Sequence, residues 1–217
     1  NVDKVFCGFG QIPPLAVTSL VCTSVQRILT DCALLEQSFG VNYAHTVYIS
    51  LGSNLESEWG GPEANLAKAL AILTGQPWFR VDGVSAIYMT EPQNLREQPW
   101  FANQVARLLC LSGVSAERML ALLHQCEACM GRRRDGATLR FGPRIIDLDL
   151  LLFDDEQRAG PELFLPHPRL PERAFVLAPL CDLAPDLRIP GRRPGDDTPR
   201  LLLKKLAYRL EGKRIYQ

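Results

Sequence analysis

From Ile145 to Phe153 the chain is apolar except at two places, Asp147 and Asp149. A run of this kind reads as a strand buried in a core. Successive strand residues point to opposite faces. Ile145, Asp147, Asp149 and Leu151 therefore share one side, and Ile146, Leu148, Leu150 and Leu152 share the other. One face is pure core and the other presents two carboxylates, with Cβ atoms roughly 7 Å apart at about 3.3 Å of rise per residue. Two unpartnered buried carboxylates would cost several kcal/mol each, so positive charge must sit against them. The sequence offers two sources. Arg140 and Arg144 are adjacent, and hard divalent cations take oxygen ligands and come in pairs where phosphate esters are transferred. The Asp-x-Asp spacing alone does not choose between a structural Asp–Arg network and a metal site.

A chain of 217 residues is long enough for one large or two small domains. Lys plus Arg and Asp plus Glu each total 24, and the resulting zero net charge argues against a nucleic-acid partner held by a whole-protein basic field. Seven cysteines, an odd number without framework spacing, together with no readable secretory signal, point to reduced thiols and a cytoplasmic setting. Cys126 and Cys129 have metal-type spacing with His124 nearby, but the pair falls within a predicted helix and reads as buried free thiols. No apolar run reaches the length needed to cross a bilayer, so no membrane partner is expected.

Before Thr46, Val17, Val21, Val25, Ile28, Cys32, Leu35 and Phe39 fall at helical steps after Pro13 and Pro14, which predicts one amphipathic helix in an extension over residues 1–45. The second domain, 46–217, opens with a short strand over Thr46–Leu51 that breaks at Gly52-Ser53-Asn54. Pro62 starts a helix that stops at Gly75. Phe79–Met89 and Phe101–Leu111 read as strands around a polar loop, and Ser115 caps a helix carrying Leu120, Leu123 and Glu127. A basic Gly-containing loop leads into the Asp strand. The order β-α-β-β-α-β predicts an α+β, ferredoxin-like core, an antiparallel or mixed sheet with helices packed on it. Phe175–Leu183 and Pro199–Leu210 are predicted as further helices.

Arg132, Arg133, Arg134, Arg140, Arg144, Arg169 and Arg173 crowd into one part of a chain with no net charge. Arginine suits forked contact with phosphate oxygens. His167, held between Pro166 and Pro168, could complete a phosphate clamp with Arg173. Carboxylates for metal, arginines for oxyanions and no evident nucleophile suggest phosphoryl transfer. Yet neither a G-x-x-x-x-G-K-[ST] loop nor a Gly-rich kinase loop is present.

The ordered set ISLGSNL at 49–55, Thr90 with Pro92, QPWFAN at 98–103, Glu127, the arginine loop, RFGPRIIDLDLLLF at 140–153 and PHPRLPERAFVLAPL at 166–180 resembles the 6-hydroxymethyl-7,8-dihydropterin pyrophosphokinase family of folate biosynthesis. The resemblance implies transfer of the β,γ-diphosphate of ATP to the pterin hydroxymethyl group, with release of AMP. By the family's pattern, Asp147 and Asp149 hold two Mg²⁺ ions. Glu127, Arg132, Arg144, His167 and Arg173 match the ATP side, with Arg132, Arg134 and Arg144 in catalytic roles. Phe101 and Phe175 match two aromatics that sandwich the pterin, and Asn103 with Thr90, Glu91, Pro92 and Gln93 matches its hydrogen-bonding edge. Glu91, Phe101 and Phe141 stand where proline, tyrosine and tryptophan are frequent. The expected partners are thus small molecules, with contact to another folate-pathway enzyme left open. The reading from a different class is a non-catalytic nucleotide or RNA-binding module. It is disfavoured by the zero net charge and by paired acids where a nucleic-acid backbone would pass.

Overall fold

Strand β1 (Tyr43–Ser53) lies inside a seven-stranded sheet and is paired on both sides. The computed structural model describes residues 42–93, 95, 97–132 and 142–217. The helix expected before residue 42 and Arg133, Arg134, Arg140 and Phe141 lie outside the described residues. After β1 come α1 (Pro62–Thr74), β2 (Phe79–Val84), β3 (Tyr88–Thr90), β4 (Phe101–Leu111), α2 (Ala116–Cys129) and β5 (Asp147–Phe153). The small hairpin β6 (Arg158–Ala159) and β7 (Phe164–Leu165) and a 3₁₀ turn at Leu170–Glu172 lead to α3 (Ala174–Leu183), α4 (Pro199–Lys205), β8 (Arg209–Glu211) and β9 (Arg214–Tyr216).

The fold is mixed α+β, with four helices among the described residues and a mostly antiparallel sheet. Its order is β5-β1-β4-β3-β9-β8, and β2 pairs with β4 beside β3. The β3–β9 pair alone among the described pairs is parallel. The single strand expected over Phe79–Met89 is in fact two. Ser85 separates them: its hydroxyl accepts from the Val105 amide at 3.0 Å, and its carbonyl accepts from Gln104 Nε2 at 2.7 Å. The first strand begins at Tyr43 rather than Thr46 and runs through Gly52 and Ser53 instead of breaking there. The ladder to β4 overrides the local turn chemistry.

Helices cover both faces of the sheet. On one, Leu66, Leu70 and Leu73 of α1 and Met119 and Leu123 of α2 pack against Val47, Ile49, Leu51, Leu108, Leu148 and Leu150. On the other, Val176, Leu177 and Leu180 of α3 meet Tyr48, Val105, Leu151 and Leu152. Leu152 is therefore on the face opposite the expected one. Tyr48 pairs with Leu152 and Ile49 with Leu150, so Leu151 is an extra residue and the bulge shifts the alternation beyond it. Asp147 and Asp149 lie before the bulge and keep a common face.

The last helix ends at Lys205, not Leu210. Residues 209–216 form a hairpin whose two-residue turn starts at Gly212, where φ is +59°. A glycine adopts this conformation at no steric cost, and β9 adds to the free edge of β3. No helix among the described residues is long and apolar enough to cross a membrane.

Candidate active site

Strand β5 lies at the edge of the sheet, so alternate backbone amides on its outer side have no strand to pair with. The amide of Leu148, the residue between the two acids, donates to Glu127 Oε1 at 2.8 Å. Glu127 sits in the last turn of α2 and is 1 % exposed. Just after it, Gly131 (φ +81°) lets the chain turn back, and the Arg132 amide donates to the Glu127 carbonyl at 3.0 Å. This is the six-to-one bond of a glycine helix terminus. The turn brings the Arg132 guanidinium onto both the Glu127 carboxylate and Asp147 Oδ1.

Arg144 reaches the same carboxylate from the other side, its Nη1 2.6 Å from Asp147 Oδ2. Its backbone is held by Asn54. The Arg144 amide donates to Asn54 Oδ1 at 2.8 Å, and the Asn54 amide donates to the Arg144 carbonyl at 3.1 Å. The Asn54 side chain also donates to Gln98 Oε1 and to the Pro99 carbonyl. One asparagine thus ties the end of β1, the loop before β4 and the start of β5 together. Burial alone would push the Asp147 carboxyl up, but Arg132 and Arg144 hold it below the ordinary carboxylate range.

Asp149, two residues on, faces Arg173 Nη1 at 3.3 Å and His167 Nε2 at 3.9 Å. The His167 amide is anchored on the Leu151 carbonyl at 2.9 Å, and its Nδ1 accepts from the Arg169 amide at 3.2 Å. That bond leaves Nε2 as the nitrogen turned to Asp149. Burial lowers the pKa values of both His167 and Arg173, with Asp149 opposing in each case. The positive charge demanded by the two acids is thus supplied by guanidinium groups. Arg144 is the one that its place before the strand leads one to expect. Arg132 and Arg173 arrive from the end of α2 and the start of α3, connections that local sequence spacing does not contain.

Beyond Arg144 the surface changes character. Its guanidinium carbon is 5.9 Å from the Phe101 ring centroid, and that of Arg173 is 5.3 Å from the Phe175 ring. Thr90 is paired with Phe101 across β3 and β4, and Asn103 Nδ2 donates to Thr90 Oγ1 at 2.6 Å. A Cβ at Gly52 would stand 2.9 Å from Asn103 Oδ1, so only glycine lets β1 pass this close. The Glu91 amide donates to the Ile215 carbonyl at 3.0 Å, Pro92 is buried, and Gln93 Nε2 donates to Gln217 Oε1 at 2.9 Å.

The structure therefore brings Glu127, Arg132, Arg144, Asp147, Asp149, His167 and Arg173 into one polar cluster, bordered by Phe101 through Arg144 and by Phe175 through Arg173. Glu127, expected on the ATP side, has its carboxylate on the Leu148 amide and on Arg132. Arg134 lies outside the described residues. Asn54, Gly52 and Gln217 were not singled out from the sequence for these roles. For the first two the signal was present in the Gly52-Ser53-Asn54 run. Cys126 is buried as expected, whereas Cys129, the last residue of α2, is exposed. Among the described residues no group of three or more His, Cys, Asp or Glu side chains could by itself hold a metal. Two carboxylates completed by substrate phosphates are how Mg²⁺ is ordinarily bound in phosphoryl-transfer sites, so the donor set at Asp147 and Asp149 fits that ion.

A family model described as 7,8-dihydro-6-hydroxymethylpterin-pyrophosphokinase (HPPK) matches residues 48–185. The 2-amino-4-hydroxy-6-hydroxymethyldihydropteridine pyrophosphokinase of Pseudomonas aeruginosa is 42 % identical over 147 residues, covering 68 % of this chain and 85 % of that protein. The protein of the same name from Methylorubrum extorquens is 39 % identical over 159 residues, covering 73 % of this chain and 92 % of that one. Among solved structures, wild-type Plasmodium falciparum HPPK-DHPS with pterin and p-hydroxybenzoate superposes with a TM-score of 0.55 at 16 % identity. It covers 78 % of this chain, which spans 44 % of that longer one.

Proposed function

The chain belongs to the 7,8-dihydro-6-hydroxymethylpterin pyrophosphokinase family, and from that premise we propose that the face of β5 bearing Asp147 and Asp149 binds the triphosphate of ATP while the Thr90–Phe101 side holds the pterin. The activity is pyrophosphoryl transfer to hydroxymethyldihydropterin in folate biosynthesis. The pterin hydroxymethyl oxygen attacks the β-phosphorus of ATP and gives up its proton to water, the bond from that phosphorus to the oxygen bridging to the α-phosphorus breaks, and AMP leaves with that oxygen. The strand order β5-β1-β4-β2 with helices between them supports the ferredoxin-like reading of the core.

The observation that carries the assignment is the pairing of each acid with guanidinium groups that also border the aromatic side. Asp147 and Asp149 would hold two Mg²⁺ ions, which would supply charge neutralisation to the phosphate oxygens. The residues' own work is positioning. Arg132 and Arg144 balance Asp147 before nucleotide arrives and contact phosphate oxygens once it does. Glu127, buried against Leu148, acts on the ATP side by positioning Arg132 and the strand. His167 and Arg173 hold Asp149 and meet the nucleotide, and Arg134 acts with Arg132. Asn103, fixed by Thr90, reads the pterin edge together with Glu91, Pro92 and Gln93, between the ring faces of Phe101 and Phe175. The longer HPPK-DHPS chain supports leaving contact with another folate-pathway enzyme open for this chain, in a cytoplasmic setting.

The test is product analysis with Mg²⁺, ATP and the reduced pterin. AMP is expected as the nucleotide product. ADP, or no pterin-dependent turnover by folded protein, would overturn the reading.

A further inference from the structure

We propose that the side-chain amide of Gln217 is a positioning group for the pterin half of the site, an inference that rests on the reading of Thr90–Gln93 as the pterin edge. Gln217 Oε1 accepts from Gln93 Nε2 at 2.9 Å and from the Ala174 amide at 2.8 Å, and its Nε2 donates to the Glu172 carbonyl at 2.8 Å. Three segments meet on one carboxamide: the loop leaving β3, the 3₁₀ turn, and the first residue of α3.

Each contact answers a local need. The first amides of a helix have no partner inside it, and Arg173, at the N-cap of α3, supplies no side-chain bond. Gln217 takes the place of that missing cap from outside. Its orientation is fixed, because the Ala174 amide can meet only an oxygen and the Glu172 carbonyl only a donor.

The position of Gln217 is set by the strand before it. Strand β9 pairs with β3 through Met89 with Arg214 and Thr90 with Ile215, and Ile215 is buried. Tyr216 meets Trp100 edge to face at 5.1 Å, with Arg209 stacked 4.1 Å over the Tyr216 ring. The residue following β9 therefore lands between the two walls that the pterin reading needs. One wall is Thr90–Gln93, and the other is the start of α3, with Arg173 and Phe175. Tyr88 of β3 packs on Ala174 and Ala178 of α3 and donates to Asp182 Oδ1 at 2.9 Å, so the two elements already meet below the walls. Gln217 adds the hydrogen-bonded link at the level of Gln93 and the first residue of α3, which holds the edge-reading loop against the Phe175 face.

The experiment is steady-state kinetics on full-length Gln217→Ala, Gln93→Ala, the double variant and Asn103→Ala, with melting temperature measured on each. Gln217→Ala and Gln93→Ala are expected to raise the KM for the reduced pterin about fivefold to tenfold, the effect of one or two lost hydrogen bonds. The KM for ATP should stay within about twofold, and the double variant should be no worse than Gln217→Ala by more than about twofold, since both break one link. A pterin KM unchanged in both single variants, or one raised in step with that for ATP, overturns the proposal. If Asn103→Ala raises the pterin KM and the glutamine variants do not, the Gln217 role alone falls. If Asn103→Ala leaves it unchanged, the pterin assignment of the loop falls and takes this proposal with it.

Discussion

The Glu127 carboxylate accepts the backbone amide of Leu148 at 2.8 Å, so the residue between the two acids is fixed by a side chain from the last turn of α2. The same carboxylate carries Arg132. One buried group thereby registers the edge strand and aims a guanidinium at Asp147, which links the packing of α2 to the charge arrangement of the site.

Removing that group has two separable effects. Glu127→Ala leaves the Leu148 amide without its acceptor and Arg132 with Asp147 but not Glu127, and is expected to cost about 3 kcal/mol of stability in a urea titration. Glu127→Gln keeps an oxygen for the amide but drops the charge. It should cost only about 1 kcal/mol while raising the KM for ATP. Equal stability loss in both variants would show that the charge, not the amide bond, is what matters.

The attachment of the β8–β9 hairpin is expected to weaken in alkali. Buried Tyr88 donates its hydroxyl to Asp182 Oδ1 at 2.9 Å and accepts from Lys213 Nζ at 2.8 Å. Burial raises its pKa, with Lys213 opposing and Asp182 reinforcing. Below the unfolded value, about 10, both states hold the proton and the contribution is complete. Above it the unfolded chain releases a proton that the folded chain retains, so stability falls as pH rises. Tyr88→Phe should be about 1 kcal/mol less stable at pH 8 and should lose less on going to higher pH, as read from melting temperatures. Parallel alkaline limbs for the two proteins would rule this out.

Thiol reactivity distinguishes free cysteines from a metal pair. Burial pushes Cys126 and Cys110 up to about 12 and Cys181 up to about 11, whereas Cys129 is exposed. Native protein treated with iodoacetamide at pH 8 should be modified at Cys129 well before Cys126 and Cys110, as followed by peptide mass spectrometry. Equal protection of Cys126 and Cys129, released together by a chelator, would contradict this.

Much of the local architecture is legible in the chain. Pro62 and Gly75 bound α1, Ser115 caps α2 through the Arg118 amide, and β4 has the limits its alternation predicts. Asp147 and Asp149 share a face because the alternation holds until Leu151. What escaped depends on distant partners. The bulge is set by the register with β1, the break at Ser85 by bonds to β4, and the hairpin by an open edge on β3. The bond between Glu127 and the Leu148 amide follows from the edge position of β5, which no window of sequence around Glu127 contains. Gly212 between short alternating segments was a readable turn signal, masked by the leucine run that extended the predicted helix.

The most direct measurement is calorimetric binding of a non-hydrolysable ATP analogue to the wild type and to Asp147→Asn, each with and without Mg²⁺. If the acids of β5 anchor cations for the nucleotide, Mg²⁺ should tighten wild-type binding by at least about tenfold, and the asparagine variant should lose most of that gain while remaining folded. Mg²⁺-dependent binding that survives unchanged in Asp147→Asn would contradict the account and leave the Asp147 cluster as a purely structural network of acids and arginines.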